Sequence, residues 1–212
     1  MKIGFIGAGN VAKKLAEAFL QKGYEVKLGA RNPEKLTEWL KNIKGNVSVG
    51  NLTDAAKFGD VIFIAVDGDS INNAVETAGA ENFAGKTVID LTNPLDFSEG
   101  IPPKFTATFG NSLGEQLQRV LPNANVVKAF SSIGTEVMIN PHFGVDTATM
   151  FIAGNSETAK SEASKLAAEF SWNVEDLGGI EQSFLLEALA ALWVNYSLKN
   201  NSKTHAFKLL KR

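Results

Sequence analysis

The residues that decide the fold are Lys2-Ile3-Gly4-Phe5-Ile6-Gly7-Ala8-Gly9-Asn10-Val11-Ala12. The apolar residues before Gly7 are those expected of a strand that is buried on both faces. Gly7, Gly9 and Ala12 give the G-x-G-x-x-A spacing of dinucleotide-binding units. Gly7 permits the sharp turn, Gly9 lets the backbone approach a pyrophosphate, and Ala12 lets the helix pack closely. The stretch therefore predicts a strand, a tight turn and a helix with a phosphate at its N-terminus.

Length and composition are those of one globular domain, alone or with a small appendage. The chain has 212 residues, of which 44% are hydrophobic and 21% charged, with a formal net charge of -2. This balance gives no electrostatic reason to expect nucleic-acid binding. Neither a membrane span nor a leader segment is recognisable, so the sequence favours a cytoplasmic protein without a membrane partner.

Few side chains here suit acid–base, nucleophilic or metal chemistry. The chain has no cysteine, which excludes disulfides, thiolate nucleophiles and cysteine-ligated metals. The histidines, His142 and His205, lack any ligand spacing, and we expect each in a surface or packing role. We therefore predict no catalytic residue and no metal site.

The residues after the second predicted strand indicate which dinucleotide binds. That strand covers residues 24–28, and Gly29, Ala30 and Arg31 follow it. Sites for NAD usually carry an acid near this point, whereas a site for NADP accommodates the 2′-phosphate with arginine. Arg31 can stack on the adenine and hold the phosphate with paired hydrogen bonds, and Lys35 adds a second charge. NADP is therefore favoured, the alternative being that Arg31 lies in a solvated loop and Lys35 on an exposed helix face.

Strands and helices alternate along the rest of the chain. Further strands are predicted at residues 47–49, 60–66, 86–92 and 125–130. Helices are predicted from Asn32-Pro33, with Asn32 as the cap, over residues 53–58, and from Ser112, whose spacing to Glu115 is that of a capping box. The alternation predicts an α/β fold of the Rossmann type, a doubly wound and mostly parallel sheet with helices on both faces.

The last third of the chain predicts a small, mainly helical extension. An apolar segment at residues 148–153, a helix capped by Ser156 and a short strand at 172–175 precede one long helix. Leu185, Leu189, Leu192 and Tyr196 form an apolar stripe on that helix. We expect a dinucleotide-binding domain at 1–146, a region packed against it at 147–212, and a homodimer in which the stripe takes part.

Residues just after the predicted central strands are the remaining candidates for the cofactor site. Ligands of open α/β sheets bind at the carboxyl ends of the strands, so Ala65, Val66 and Asp67 should line the cleft. Asn93 and Pro94 form a rigid turn at the same edge. Asp67 and Asp69 could instead cap the next helix, and for Asp69 capping is the preferred interpretation.

Several of these segments together resemble the NADPH-dependent deazaflavin-coenzyme (factor 420) reductase family over nearly the whole chain. The resemblance rests on residues 6–11, 29–35, 89–95, 127–131 and 186–190. It implies that Ala8, Gly9, Asn10 and Val11 hold the pyrophosphate and that Arg31 and Lys35 hold the 2′-phosphate. It also implies contacts from Val66, Asn93 and Phe130 to the ribose and nicotinamide.

The chain departs from the family pattern at one single residue and at two residue pairs. Asn32 stands where the family has a second basic residue, which weakens the phosphate site without reversing its preference. Ser131-Ser132 and Ser183-Phe184 replace Asn-Thr and Ala-Arg, respectively. Both pairs lie toward the side where the acceptor is expected, so the identity of the acceptor is the property that the resemblance predicts least well.

The resemblance predicts an NADP-dependent oxidoreductase that moves a hydride between NADPH and a deazaflavin or flavin ring. In such chemistry the two ring systems carry the bond changes, while the protein orients them and excludes water. Two alternatives stay open at this point. One is a small imine or carbonyl reductase of the pyrroline-carboxylate type, and the other is a non-catalytic NADP-binding sensor or partner subunit.

Overall fold

The structure is a computed structural model that describes residues 1–212 as twelve strands and seven α-helices. The strands, numbered in chain order, are β1 Lys2–Ile6, β2 Glu25–Gly29, β3 Val47–Gly50, β4 Val61–Ile64, β5 Thr87–Asp90, β6 Leu95–Asp96, β7 Lys104–Phe105, β8 Asn125–Lys128, β9 His142–Phe143, β10 Asp146–Thr147, β11 Thr149–Gly154 and β12 Asn173–Asp176. The helices are α1 Asn10–Gln21, α2 Thr37–Asn42, α3 Leu52–Phe58, α4 Ile71–Ala78, α5 Leu113–Val120, α6 Glu157–Ala168 and α7 Ser183–Asn200.

Eight strands form one sheet in the order β12-β11-β8-β5-β4-β1-β2-β3. All neighbouring pairs are parallel except β11 with β8. Strand β1 lies between β2 and β4, so the strand order reverses at this point, which is where doubly wound sheets bind ligands. The predicted Rossmann fold with a mostly parallel sheet is confirmed.

The sheet has an apolar core on each face. One core contains 28 buried residues, among them Leu15 and Phe19 of α1 and Ala163 of α6. The other contains 18, among them Ala55 of α3 and Leu117 of α5. Burial at helical spacing on α1 and α6 on one side, and on α3, α4 and α5 on the other, accounts for the predicted helices on both faces.

Local capping follows the sequence at Ser112 and at Ser156, whose hydroxyl accepts from the N–H of Ala159, and departs from it at Asn32 and Asp69. The Ser112 hydroxyl accepts from the N–H of Glu115 at 3.2 Å, and the Glu115 carboxylate accepts from the N–H of Ser112 at 2.9 Å, which confirms the capping box. Asn32 makes no capping hydrogen bond and precedes a 3-10 turn, Pro33–Leu36, rather than an α-helix. Asp69 does not cap α4 either; it accepts from the neighbouring Ser70 hydroxyl. Both expected caps are therefore wrong, and both side chains are exposed to solvent.

The last third of the chain continues the sheet before it turns helical. Strand β11 pairs with β8, and β12 pairs with β11. Helix α7 packs on α5 and β11. Leu186 and Ala190 of α7 are buried, whereas Leu185, Leu192 and Tyr196 are each about half exposed, at 47%, 56% and 52%. None of the seven helices combines the length and apolarity needed to cross a bilayer.

Candidate functional site

The turn after β1 can be made only by a residue without a side chain. Gly7 has a φ of +116°, and a Cβ placed there would lie 2.3 Å from the carbonyl oxygen of Ala65. The N–H of Gly7 donates to the carbonyl of Gly29 at 3.0 Å. The turn is thus held between the ends of β2 and β4, where a side chain would force the strands apart.

The N-terminus of α1 faces open space. The helix begins at Asn10, with Gly9 as its N-cap and with no side-chain cap and no acidic residue in its first turn. A Cβ placed on Gly9 would meet nothing within 4 Å. The first N–H groups of a helix have no partner within it, and they carry the positive end of its dipole. The local structure therefore offers both the space and the hydrogen-bond donors that an anion needs.

A cleft of about 380 Å³, which we call the first cleft, surrounds this helix start. Its lining comprises Gly7, Ala8, Gly9, Ala30, Arg31, Asn32, Lys35, Leu36, Leu52, Val66, Asp67, Ser70, Asn73 and Ala74. Arg31 and Lys35 are exposed, and neither forms an ion pair with any residue of the chain. One end of the first cleft thus presents two cations that no protein carboxylate neutralises.

A larger cleft of about 840 Å³, the second cleft, adjoins the first. Its lining comprises Val66, Asp67, Gly68, Asp69, Ile71, Asn72, Leu91, Thr92, Asn93, Pro94, Leu95, Asp96, Phe97, Ser98, Thr106, Leu113 and Gln116. Val66 and Asp67, which follow β4, line both clefts. The two clefts therefore form one groove along the carboxyl ends of the central strands.

Most of the site residues expected from the sequence border this groove. The first cleft is lined by Gly7, Ala8, Gly9, Arg31, Asn32, Lys35, Val66 and Asp67, and the second by Val66, Asp67, Asn93 and Pro94. Four expected residues line neither cleft. Asn10 is exposed at the start of α1, Val11 and Ala65 are half-buried against the core, and Phe130 is buried with a φ of +58°.

Asn93 presents an unsatisfied polar atom at the second cleft. Its side-chain Nδ2 donates to the carbonyl of Ser131 at 2.8 Å, which fixes the orientation of the amide. Its Oδ1 is buried and has no hydrogen-bond partner in the protein. Buried polar atoms are normally paired, so this oxygen suits a hydrogen-bond donor on a bound ligand. Together with the open space at Gly9 and the unpaired cations, it makes the groove fit a phosphorylated dinucleotide.

A fully buried ionic triad, which no local sequence motif indicates, lies beneath the second cleft. The Nζ of Lys128 lies 2.7 Å from Oδ2 of Asp90 and 2.8 Å from Oε1 of Glu187, and all three side chains are completely buried. Burial lowers the pKa of Lys128, but the two carboxylates raise it more, so the pKa is above its ordinary value. The amine is therefore a cation at neutral pH.

The triad fixes the backbone that borders the second cleft. Lys128 donates to the carbonyl of Thr92 at 2.9 Å, and Asp90 accepts from both the N–H and the hydroxyl of Thr92. Glu187 accepts from the N–H groups of Leu113 and Gly114, the first two residues of α5. Helix α7 is thereby tied to the end of β5 and to the start of α5.

The two histidines stand apart from the groove. His142 is exposed and shares a hydrogen bond with the Thr147 hydroxyl at 3.1 Å. His205 stacks on Trp193 with ring centroids 4.5 Å apart. No group of three or more histidine and carboxylate side chains is arranged to hold a metal ion.

Comparisons with known proteins agree with the dinucleotide geometry. The model of the family described as NADP oxidoreductase coenzyme F420-dependent matches residues 2–94. A candidate F420-dependent NADP reductase from Arthrobacter sp. FB24, solved at 1.70 Å resolution, is 33% identical with a TM-score of 0.94, and each chain is covered completely. The F420-dependent NADP reductase of Methanocaldococcus jannaschii is 28% identical over 96% of this chain and 95% of its own length.

A second kind of relative is longer than this chain. The metalloreductase STEAP3 of Rattus norvegicus is 26% identical over 89% of this chain. The aligned part is only 36% of that protein's length, so this chain corresponds to about a third of it.

Proposed function

The chain belongs to the family of coenzyme F420-dependent NADP oxidoreductases, and on that premise we propose that it transfers a hydride between NADPH and a deazaflavin or flavin ring. It is an NADP-dependent oxidoreductase; the identity of the acceptor is the proposed part. The observation that carries the proposal is the single groove whose two clefts meet at Val66 and Asp67. A dinucleotide in the first cleft and a ring in the second would meet at that junction.

We propose that the first cleft holds the phosphates of NADP. The N–H groups at the start of α1 would bind the pyrophosphate, close to Gly9, whose missing side chain leaves room for it. Arg31 and Lys35 would bind the 2′-phosphate. The planar guanidinium of Arg31 can donate two parallel hydrogen bonds to it, whereas the ammonium of Lys35 contributes a point charge. Asn32 adds a polar side chain but no charge at this end.

We propose that the nicotinamide end lies beside Ala65, Val66, Asp67, Asn93 and Pro94. Reduced nicotinamide supplies a hydride to a ring placed against it, and the protein's part is to orient both rings and exclude water. The triad supports this by fixing the backbone around Thr92, and Asn93 offers its unpaired oxygen to an amide. In the proposed reaction the two rings carry the bond changes, so no general acid or base is required from the protein.

The test is an anaerobic acceptor screen with the purified full chain, which follows the absorbance of NADPH. The acceptors are the deazaflavin coenzyme, riboflavin and a cyclic imine, with NADH as the control donor. Steady oxidation of NADPH with a deazaflavin or flavin supports the proposal. Oxidation with the imine alone would instead favour the pyrroline-carboxylate type of reductase, and tight NADP binding without any turnover would favour a sensor or partner subunit.

We further propose that the protein is a homodimer in which α7 takes part. The exposed apolar side chains of Leu185, Leu192 and Tyr196 support this, because large exposed apolar surfaces commonly mark interaction sites. Leu192→Glu should convert the dimer to a monomer, whereas Leu198→Glu on a different face of the same helix should leave it intact. Light scattering at micromolar concentration gives the mass, and a monomer in the unmodified protein, with or without NADP, would refute the dimer.

A further inference from the structure

The second cleft offers a ligand one exposed apolar side chain, that of Phe97. The other apolar residues of its lining are the buried Ile71, Leu91, Pro94 and Leu113 and the partly buried Val66 and Leu95. Phe97 is 54% exposed, and it is the only aromatic residue that lines either cleft. The apolar surface that a ligand can cover in this cleft therefore belongs chiefly to one phenyl ring.

Hydrogen bonds on both sides of Phe97 fix its backbone. Phe97 directly follows β6, and the N–H of Ser98 donates to Oδ1 of Asp96 at 2.8 Å. The carbonyl of Phe97 accepts from the N–H of Gly100 at 3.0 Å, and Gly100 has a φ of +106°, which favours glycine. The exposed ring therefore projects from a turn of defined conformation.

The hairpin that carries this turn is anchored to the wall of the second cleft. Strands β6 and β7 place Leu95 opposite Phe105. The N–H and the hydroxyl of Thr106 both donate to the carbonyl of Pro94, at 3.0 and 3.2 Å. Pro94 belongs to the proposed nicotinamide end of the groove. The hairpin thus connects the exposed ring to the place where a hydride acceptor would lie.

The other aromatic rings of this connection already have partners. Phe105 and Phe109 both pack on Phe184 of α7, with ring centroids 5.9 and 4.0 Å apart. None of these three residues lines either cleft. Phe97 packs on no other aromatic ring of the chain. Three rings therefore pack together outside the groove, and one ring is left unpaired within it.

From these observations, and resting on the proposed function, we propose that Phe97 is a specificity-determining residue that stacks on the planar ring of the hydride acceptor. Aromatic rings attract one another in offset or edge contacts, beyond the effect of the apolar area that they bury. A deazaflavin or flavin presents such a ring, whereas a small aliphatic imine presents none. Phe97 thus favours a fused aromatic acceptor over the imine.

Removal of the ring tests the proposal by binding alone. Riboflavin is the probe, and its binding is followed by flavin fluorescence on the full chain saturated with NADP⁺, so that the readout does not require turnover. Phe97→Ala should weaken riboflavin binding about five- to fiftyfold, because both stacking and apolar contact are lost. The affinity for NADPH should change less than about twofold, since Phe97 does not line the first cleft. The thermal unfolding midpoint should stay unchanged, because the side chain is exposed.

Matched variants separate the ring from other effects of the substitution. Phe97→Tyr keeps the ring and should bind riboflavin within about threefold of the unmodified protein. Phe97→Leu keeps an apolar side chain without a ring, so its affinity should lie between those of the alanine and tyrosine variants. Phe109→Ala is the control, because Phe109 is a 79% exposed phenylalanine of the same connection that lines neither cleft. It should change riboflavin binding less than about twofold.

Steady-state kinetics give a second readout for the same variants. Anaerobic oxidation of NADPH is measured with riboflavin and with the deazaflavin coenzyme. Stacking holds the acceptor ring both before and during hydride transfer, so its loss should act on binding more than on the chemical step. Phe97→Ala should therefore raise the KM for the acceptor about five- to fiftyfold and leave kcat within about threefold.

The outcomes distinguish the role of Phe97 from the proposed function. Weaker riboflavin binding in Phe97→Ala that is restored in Phe97→Tyr and absent from Phe109→Ala supports the inference. An equal loss in Phe97→Ala and Phe109→Ala refutes it, because the connection as a whole would then be responsible. Turnover of a ring acceptor with an unchanged KM in Phe97→Ala also refutes it and leaves the proposed hydride transfer intact. Absence of turnover with every ring acceptor would refute the proposed function itself.

Discussion

Replacing Arg31 with alanine tests whether one side chain gives the groove its preference for NADPH over NADH. Arg31 is exposed at the end of the first cleft and forms no ion pair, so its guanidinium is available to a 2′-phosphate. Hydrogen bonds to charged groups contribute about 1.5–3 kcal/mol each. At roughly 1.4 kcal/mol per factor of ten, Arg31→Ala should weaken NADPH binding about ten- to two-hundredfold.

The affinity for NADH should change less than about threefold, because NADH lacks the phosphate that Arg31 would bind. Arg31→Lys keeps the charge but loses the planar fork, so its effect on NADPH should lie between those of the unmodified protein and the alanine variant. Lys44→Ala removes a charge from an exposed residue outside the groove and serves as the control. It should leave both affinities unchanged.

Binding titrations of both nucleotides at one fixed ionic strength make the measurement, because exposed phosphate contacts are partly screened by salt. A thermal unfolding curve of each variant shows whether the fold is kept. If Arg31→Ala weakened NADPH and NADH equally, Arg31 would act through folding or adenine packing. The assignment of the first cleft to a 2′-phosphate would then lose its main support.

Three further predictions concern the turn, the buried triad and the histidines. Gly7→Ala should lower the free energy of unfolding by about 2 kcal/mol or more, because the new Cβ would lie 2.3 Å from a backbone carbonyl oxygen at a φ of +116°. Gly9→Ala should change the free energy of unfolding by less than about 0.5 kcal/mol, because a Cβ there meets nothing within 4 Å, and should weaken only the binding of NADPH. Lys128→Met should lower the free energy of unfolding, measured by urea denaturation, by roughly 3–5 kcal/mol, because it leaves two carboxylates buried without a cation. Lys160→Met should lower the same free energy by less than about 1 kcal/mol, because the carboxylates that pair with Lys160 reach solvent. The pKa of Lys128 is raised, so its contribution should be complete below its ordinary pKa of 10.5 and be lost only as the pH rises through the raised value; a fall in the urea midpoint between pH 7 and 9 that is absent from the methionine variant would contradict this. His142→Ala should lower kcat less than about tenfold, and a loss approaching ten-thousandfold would reveal an overlooked general acid or base.

The parts of the fold that depend on local sequence were predictable. The apolar run of β1, the Gly7 turn and the start of α1 follow from residues next to one another, and so does the capping box at Ser112. The position of Val66 and Asp67 at the groove follows from the general rule on the carboxyl ends of parallel strands. Contacts to the bound nucleotide, the boundary between residues 1–146 and 147–212, and the homodimer remain predictions.

Features that depend on strand order and direction were not predictable. Asp90 and Lys128 meet because β5 and β8 are adjacent and parallel with these residues in register, and Glu187 joins them from a helix far along the chain. A charged residue inside each of three apolar runs was the available signal, although it does not reveal which charges pair. Similarly, the apolar segment that forms β11 contains nothing that shows it runs antiparallel to β8.

The Lys128, Asp90 and Glu187 triad also limits how this protein could be redesigned or diverge. Changing one member leaves the charges of the other two buried without a partner. A stepwise change to three other residues at these positions therefore passes through an unstable protein, unless two or three residues change together. Libraries that aim to give the second cleft a new acceptor should therefore keep these positions fixed or exchange them as a unit. Asp69, which is exposed, and Asp96, which is partly buried, do not belong to the triad and can be varied one at a time.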